Sequence, residues 1–193
     1  MSENKVRFNL KNVHYAVLTE TVSTSGTVSY SWATPVHVAG AVSLDLSPEG
    51  DTSPFYADNI VYYTSVANNG YDGSLELARI PEDFLKDVLK YTVAANNLVY
   101  EDVNAPVVHF ALLFEFAGDA KARRHVIYNC VATRPDLASQ TKGETVEPQT
   151  ETINITATSI YNAALQKDIV KAYLNEGDTG YTSFISTVMQ ATT

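Results

Sequence analysis

GAVSLDLSPEGDTSPFYADNIVYYTSVANNGYDGSLELARI, residues 40–80, is the stretch whose reading decides the fold. Val42, Leu44 and Leu46 alternate with Ser43, Asp45 and Ser47, and this period of two gives a strand one buried and one wet face. SPEGD interrupts it. Residues 55–67 are rich in aromatic and β-branched side chains, and they run into Asn68, Asn69 and Gly70, where the positive φ angles of a tight hairpin turn are least strained. The return run, residues 71–80, puts Leu75 and Leu77 on one face. Strand, turn, strand, hairpin, strand is the expected order, and the segment carries no recognisable chemistry.

Outward from this segment the pattern stays β. His14, Ala16 and Leu18 alternate with Tyr15, Val17 and Thr19, giving a strand with two apolar faces and burial expected on both sides. Residues 107–116 and 123–133 read as a second hairpin around Gly118 and Asp119. Phe110, Leu112, Phe114 and Phe116 share one face, and Val126, Tyr128 and Cys130 share one on the return. Each fully buried Phe contributes about 2 to 3 kcal/mol, so this face requires an opposing layer. Residues 152–159 resume alternation through Ile153, Ile155 and Ala157.

One helix is expected after Ile80. Pro81 suits its first position, Glu82 and Asp83 suit the positive end of its dipole, and Phe84, Leu85, Val88 and Leu89 form an apolar stripe. Tyr181, Phe184, Ile185, Val188 and Met189 follow helical spacing and predict a short C-terminal helix that docks on its own domain or on a neighbour. Residues 20–34 and 134–150 read as long loops, the first of them also compatible with a hairpin in need of a partner. Trp32, the only tryptophan, is a core plug or an interface anchor. The fold class is mainly β with a flanking helix packed on the sheet, a single domain over 1–193. An N-terminal arm occupies 1–12 and a C-terminal extension 161–193.

The 193 residues carry 13 Lys+Arg against 22 Asp+Glu, a formal net charge of −9, which argues against a broad basic footprint for nucleic acid. The single Cys130 lies in an apolar run and reads as a small buried hydrophobe. No secretion signal or membrane-length apolar run is legible, so no membrane association is expected. His14, His37, His109 and His125 are scattered without metal-site spacing, and no metal site, cofactor or catalytic residue is assigned. Glu49, Asp51 and Asp58 lack the ligand run of a calcium loop. Arg123 and Arg124 form the one compact basic spot, suited to a salt bridge across strands or between subunits.

The runs VHYAVLTE (13–20), TPVHVAGAVSLDLSPEGD (34–51), TSPFYADNIVYYTSVANNGYDGSLELARIPEDFLKDVL (52–89), FALLFEFAGDAKARRHVIYNCVATRP (110–135) and EPQTETINITATSI (147–160) resemble the major tail protein family of long-tailed bacteriophages. The resemblance implies a structural virion protein and not an enzyme: a β-sandwich or barrel-like tube subunit with one flanking helix, assembled in the host bacterial cytoplasm into hexameric rings that stack as the tail tube. The implied partners are further copies of itself and the tape measure, tail terminator and distal tail proteins. DNA would pass through the lumen without specific binding. Under this reading Asp45, Asp58, Asp72 and Glu76 are expected to face the lumen, Ser23, Gly26, Tyr30 and Trp32 to belong to a ring-stacking loop, and Arg123 and Arg124 to meet a neighbouring subunit. The competing reading is a glycan- or receptor-binding β-sandwich on a virion surface, which the 12 Tyr and exposed hydroxyls suit.

Overall fold

A computed structural model describes residues 9–24, 26–137, 139 and 149–192. In chain order the elements are β1 (Leu10–Val22), β2 (Val28–Trp32), β3 (Val36–His37), β4 (Ala41–Glu49), β5 (Thr52–Ala57), β6 (Ile60–Val66) and β7 (Gly70–Leu77), then the helix α1 (Glu82–Asp87). There follow β8 (Thr92–Val93), β9 (Val99–Tyr100), β10 (His109–Phe116), β11 (Arg124–Ala132), β12 (Glu151–Thr158), β13 (Ile160–Asn162), β14 (Lys167–Ile169) and β15 (Lys171–Leu174). Residues 1–8 of the expected N-terminal arm and 140–148 of the second expected loop lie outside the described residues.

A nine-stranded antiparallel sheet runs β2-β1-β10-β11-β12-β7-β4, with β3 added to β1 and β15 to β11. Its two ends meet. Val38 donates its N–H to the Val13 carbonyl at 2.8 Å, and Ala78 donates to the Gly40 carbonyl at 2.8 Å, so the link between β3 and β4 is stitched to β1 on one side and to the end of β7 on the other. The sheet thereby closes into a barrel-like shape, which leaves few strand edges open along its wall.

Alternation fills the interior. Tyr15, Leu75, Leu77, Phe110, Leu112, Ile153 and Ile155 all point inward and are buried. Helix α1 plugs the interior with Phe84, whose ring meets Tyr15 edge-on at 5.1 Å and Phe110 at 5.7 Å, contacts favourable beyond their buried area. Pro81 sits one position earlier than expected, as the cap (φ −62°, ψ 141°), and Glu82 pairs with Lys86 at 3.3 Å. The Ile80 N–H, at the approach to the helix, is taken by Glu151 at 2.7 Å.

Two faces differ from strict alternation, each because of a bulge. A register shift between Phe110 and Leu112 inserts an extra residue into β11, so Cys130 joins the interior while Val126 and Tyr128 face outward. A shift between Ala41 and Ser43 leaves Val42 exposed while Leu44 and Leu46 stay packed inside.

The C-terminal extension settles on its own domain. Ile160, Phe184, Val188 and Met189 cover the outer face of Ala16, Ala111, Leu113, Val126 and Tyr128. Residues 175–187 are a succession of turns rather than a helix. Gly177 and Gly180 adopt positive φ, and the hydroxyls of Ser183 and Ser186 donate to the carbonyls of Gly180 and Ser183, competing with a regular helical ladder.

The segment is tied at its far end by the Tyr128 hydroxyl, which donates to the Met189 carbonyl at 2.8 Å. Burial pushes the Tyr128 phenol up from 10.0 to about 12. Because the folded value is the higher, this stabilisation is complete below pH 10.0 and is lost as pH rises toward about 12. Denaturant melts across that alkaline window should therefore show stability falling less steeply with pH in Tyr128→Phe than in the unaltered chain.

Candidate functional site

Three outward faces bear on function, two of them open to solvent and one covered. The first lies across β4, β7 and β12, where the register sets Ser43 beside Glu76 and Thr152, Asp45 beside Ser74 and Asn154, and Ser47 beside Asp72 and Thr156. No Lys or Arg occurs in these strands. Hydroxyls organise the carboxylates: Thr156 donates to Asp72 at 2.7 Å, and Thr150 and Ser43 donate to the two oxygens of Glu76 at 2.6 and 2.8 Å. The hydrogen bond from Thr150, then that from Ser43, holds the Glu76 carboxyl below its ordinary range. Of the four acidic residues expected to share a surface, Asp45, Asp72 and Glu76 do so. Asp58 does not, because it sits in a turn at the tip of a separate hairpin.

That hairpin is the second face. The alternation predicts the tight turn at Asn68, Asn69 and Gly70. Instead Asp58 (φ 53°) and Asn59 (φ 61°) make it, and β5 pairs with β6 as a two-stranded sheet of its own. Asn and Asp are the non-glycine residues that best tolerate the left-handed conformation such a turn needs. The ribbon continues β4 and β7: Asn69 donates to the Glu49 carbonyl and Ala67 to the Asp51 carbonyl. Gly50 permits this close pairing, since a Cβ there would lie 1.9 Å from the Ala67 carbonyl oxygen.

Residues expected in the sheet core are therefore on an arm in solvent. Phe55, Tyr56, Ile60, Val61, Tyr62, Tyr63 and Val66 are between 51 and 73% exposed. An apolar surface of this extent marks an interaction site. The signal legible in the sequence was the Asp-Asn pair dividing the aromatic run, together with the absence of a polar alternate face on its second half. A smaller ribbon, β8 with β9, also exposes Val93, Leu98, Val99 and Tyr100. Tyr91 anchors it by donating to Glu101 at 2.7 Å.

The third face is held within the chain. Residues 20–34 form no long loop: β2 pairs with the end of β1 from Leu18 opposite Trp32 to Val22 opposite Val28. Tyr30 and Trp32 pack with the C-terminal extension, and the Trp32 indole N–H donates to the Tyr128 carbonyl at 3.1 Å. They belong to the chain's own outer layer, which leaves the turn around Ser23 and Gly26 (φ 80°) as the projecting part.

Arg124 lies opposite Glu115 across β10 and β11, 3.3 Å from it, with its guanidinium 4.1 Å from the Tyr181 ring centre. Glu115 is 3% exposed and also meets Lys11 at 3.5 Å and the Asn12 amide. Arg123 lies 3.7 Å from Asp119 and over the Tyr173 ring. The cross-strand alternative therefore describes Arg124, whereas Arg123 lies four residues from its partner Asp119, within the turn that precedes β11. Cys130 is buried, and burial pushes its thiol up to about 12, far from the thiolate a nucleophile requires.

The hydroxyl scaffold around Glu76 has a direct readout. In an NMR pH titration the Glu76 carboxyl should show a midpoint below 4.5, and Thr150→Val should raise it more than Ser43→Ala does. No protein-family model matches the chain, and no curated protein matches it in sequence.

Proposed function

We propose that the chain is the major subunit of a long-tailed bacteriophage tail tube, a structural protein that polymerises as stacked hexameric rings. The observation that carries this reading is the β5–β6 arm, an aromatic and aliphatic ribbon standing in solvent beside a subunit whose own core is complete. An isolated two-stranded ribbon is marginally stable in water, and a second copy of the chain supplies the surface it lacks. A ring needs a contact that repeats by rotation and a stack needs a second one that never closes. The arm serves one and the smaller β8–β9 ribbon serves the other.

The acidic face over β4, β7 and β12 then becomes the wall of the bore. Six copies at −9 each place about −54 formal charges on a ring, and a wall of carboxylates repels the passing DNA backbone. Asp45, Asp72 and Glu76 supply that wall, and Asp58 moves to the arm. Tape measure, terminator and distal tail proteins are the further partners in this reading, and the virion tail is the location.

Electron microscopy of the purified, concentrated protein should show tubes of uniform diameter. Replacing Tyr56, Tyr62 and Tyr63 together by Ser should leave a folded chain with an unchanged far-ultraviolet spectrum that forms no tubes; tubes of normal length would reject the arm as the assembly contact. A monomer that binds sugars saturably and never polymerises would favour the glycan-binding reading instead.

The bore has its own test. Asp45→Lys, Asp72→Lys and Glu76→Lys should spare tube length and slow DNA ejection, whereas Asp58→Lys should leave ejection through a formed tube unchanged. Equal ejection rates in all four variants would remove the acidic face from the lumen.

A further inference from the structure

The two strands that close the barrel, β1 and β3, meet over only two register pairs, His14 opposite His37 and Tyr15 opposite Val36. The bond from the Val38 N–H to the Val13 carbonyl, 2.8 Å long, makes Val13 and Val38 a hydrogen-bonded pair. The adjoining His14–His37 pair therefore falls in the non-hydrogen-bonded position, where opposite Cα atoms approach to about 4.5 Å and side chains on one face are closest. Val13, Tyr15 and Val38 are buried in the interior, and alternation puts both imidazoles on the outer face, His37 exposed and His14 half-buried.

The ring centres are 5.0 Å apart with the planes at 61°. Two imidazoles sharing one divalent ion at metal–nitrogen lengths of about 2.1 Å, with an angle between tetrahedral and square-planar values, hold their centres about 4.5 to 5.5 Å apart. The observed separation lies inside that range. His14 is also oriented: its Nδ1–H donates to the Asn12 carbonyl at 2.9 Å. A backbone carbonyl on one ring nitrogen fixes the tautomer and leaves the lone pair of Nε2 available, the usual support for a metal-bound histidine.

We propose that His14 and His37 form a two-imidazole site for a divalent transition-metal ion on the outer face of the β1–β3 seam. Among the described residues no group of three or more His, Cys, Asp or Glu could hold a metal. Water therefore completes the coordination shell, and the ion exchanges rather than being locked in. Bound there, it ties together the shortest strand pairing in the barrel wall. The site is independent of the assembly reading and exists in a single subunit.

The test uses the full chain and Ni2+ alone. Calorimetric titration near neutral pH should show one equivalent bound, with a rise in melting temperature. His14→Asn and His37→Asn should each weaken binding about tenfold or more and remove the rise, while His109→Asn, at an exposed histidine paired with Asn129, should change neither. Paramagnetic broadening of the imidazole resonances in the unaltered protein gives an answer even where a variant does not fold: His14 and His37 should broaden first and together. Undiminished binding in both variants, broadening that begins elsewhere, or no binding by the unaltered chain would each overturn the site.

Discussion

The outer face of β1, β10 and β11 cannot be left to water, and much of the molecule follows from that constraint. Ala111, Leu113 and Val126 are fully buried, yet they point away from the barrel interior. An apolar face on the outside of a closed sheet needs a second layer. The chain supplies it from its own C-terminal third, with Ile160 and Phe184 laid over the strands and Trp32 closing one side. The polar ties follow the same line: Asn162 donates its amide to the Ala191 carbonyl, Gln190 donates to the Tyr30 carbonyl, and Arg124 stacks on Tyr181.

Three outward faces of one barrel thus have three fates. Over β1, β10 and β11 the face is apolar and covered. Over β4, β7 and β12 it is hydroxyl and carboxylate, and needs no cover. Along β5 and β6, which extend β4 and β7, it is apolar and bare. The first two satisfy ordinary rules for a folded chain, and only the third departs from them. The third face is therefore the one where the chain alone leaves apolar surface unburied.

Much of the barrel was legible because period-two alternation is a local signal. Leu75, Leu77, Ile153, Ile155, Phe110, Leu112 and Phe114 point where their alternation says, and Phe84 plugs the interior as its helical stripe requires. Bulges were not legible: nothing local marks the extra residue in β11 that parts Cys130 from Tyr128. Nor does alternation reveal whether a strand's partner has a second layer behind it, so the run from Phe55 to Val66 read as core when it is arm. The clustering of Asp45, Asp72 and Glu76 was visible as three polar positions on neighbouring strands. The meeting of His14 and His37 was not, because it depends on a two-residue strand that no periodicity can announce.

The arm's attachment matters as much as its composition. It is not a loop inserted between strands but the outward continuation of the β4–β7 pair, carried through Gly50 by backbone bonds on both sides. Its base is therefore hydrogen-bonded in line with the barrel wall, while its far end has only its own cross-strand pairs. A contact made midway along the arm, at Tyr62 and Tyr63, would act through paired backbone on the acidic face, since β4 and β7 carry Asp45, Asp72 and Glu76. Under the proposed assembly, ordering the arm against a neighbour and positioning the carboxylate face would be one structural event. In a polymer built from this subunit, packing of the apolar arm would fix how the polar surface is presented from one copy to the next.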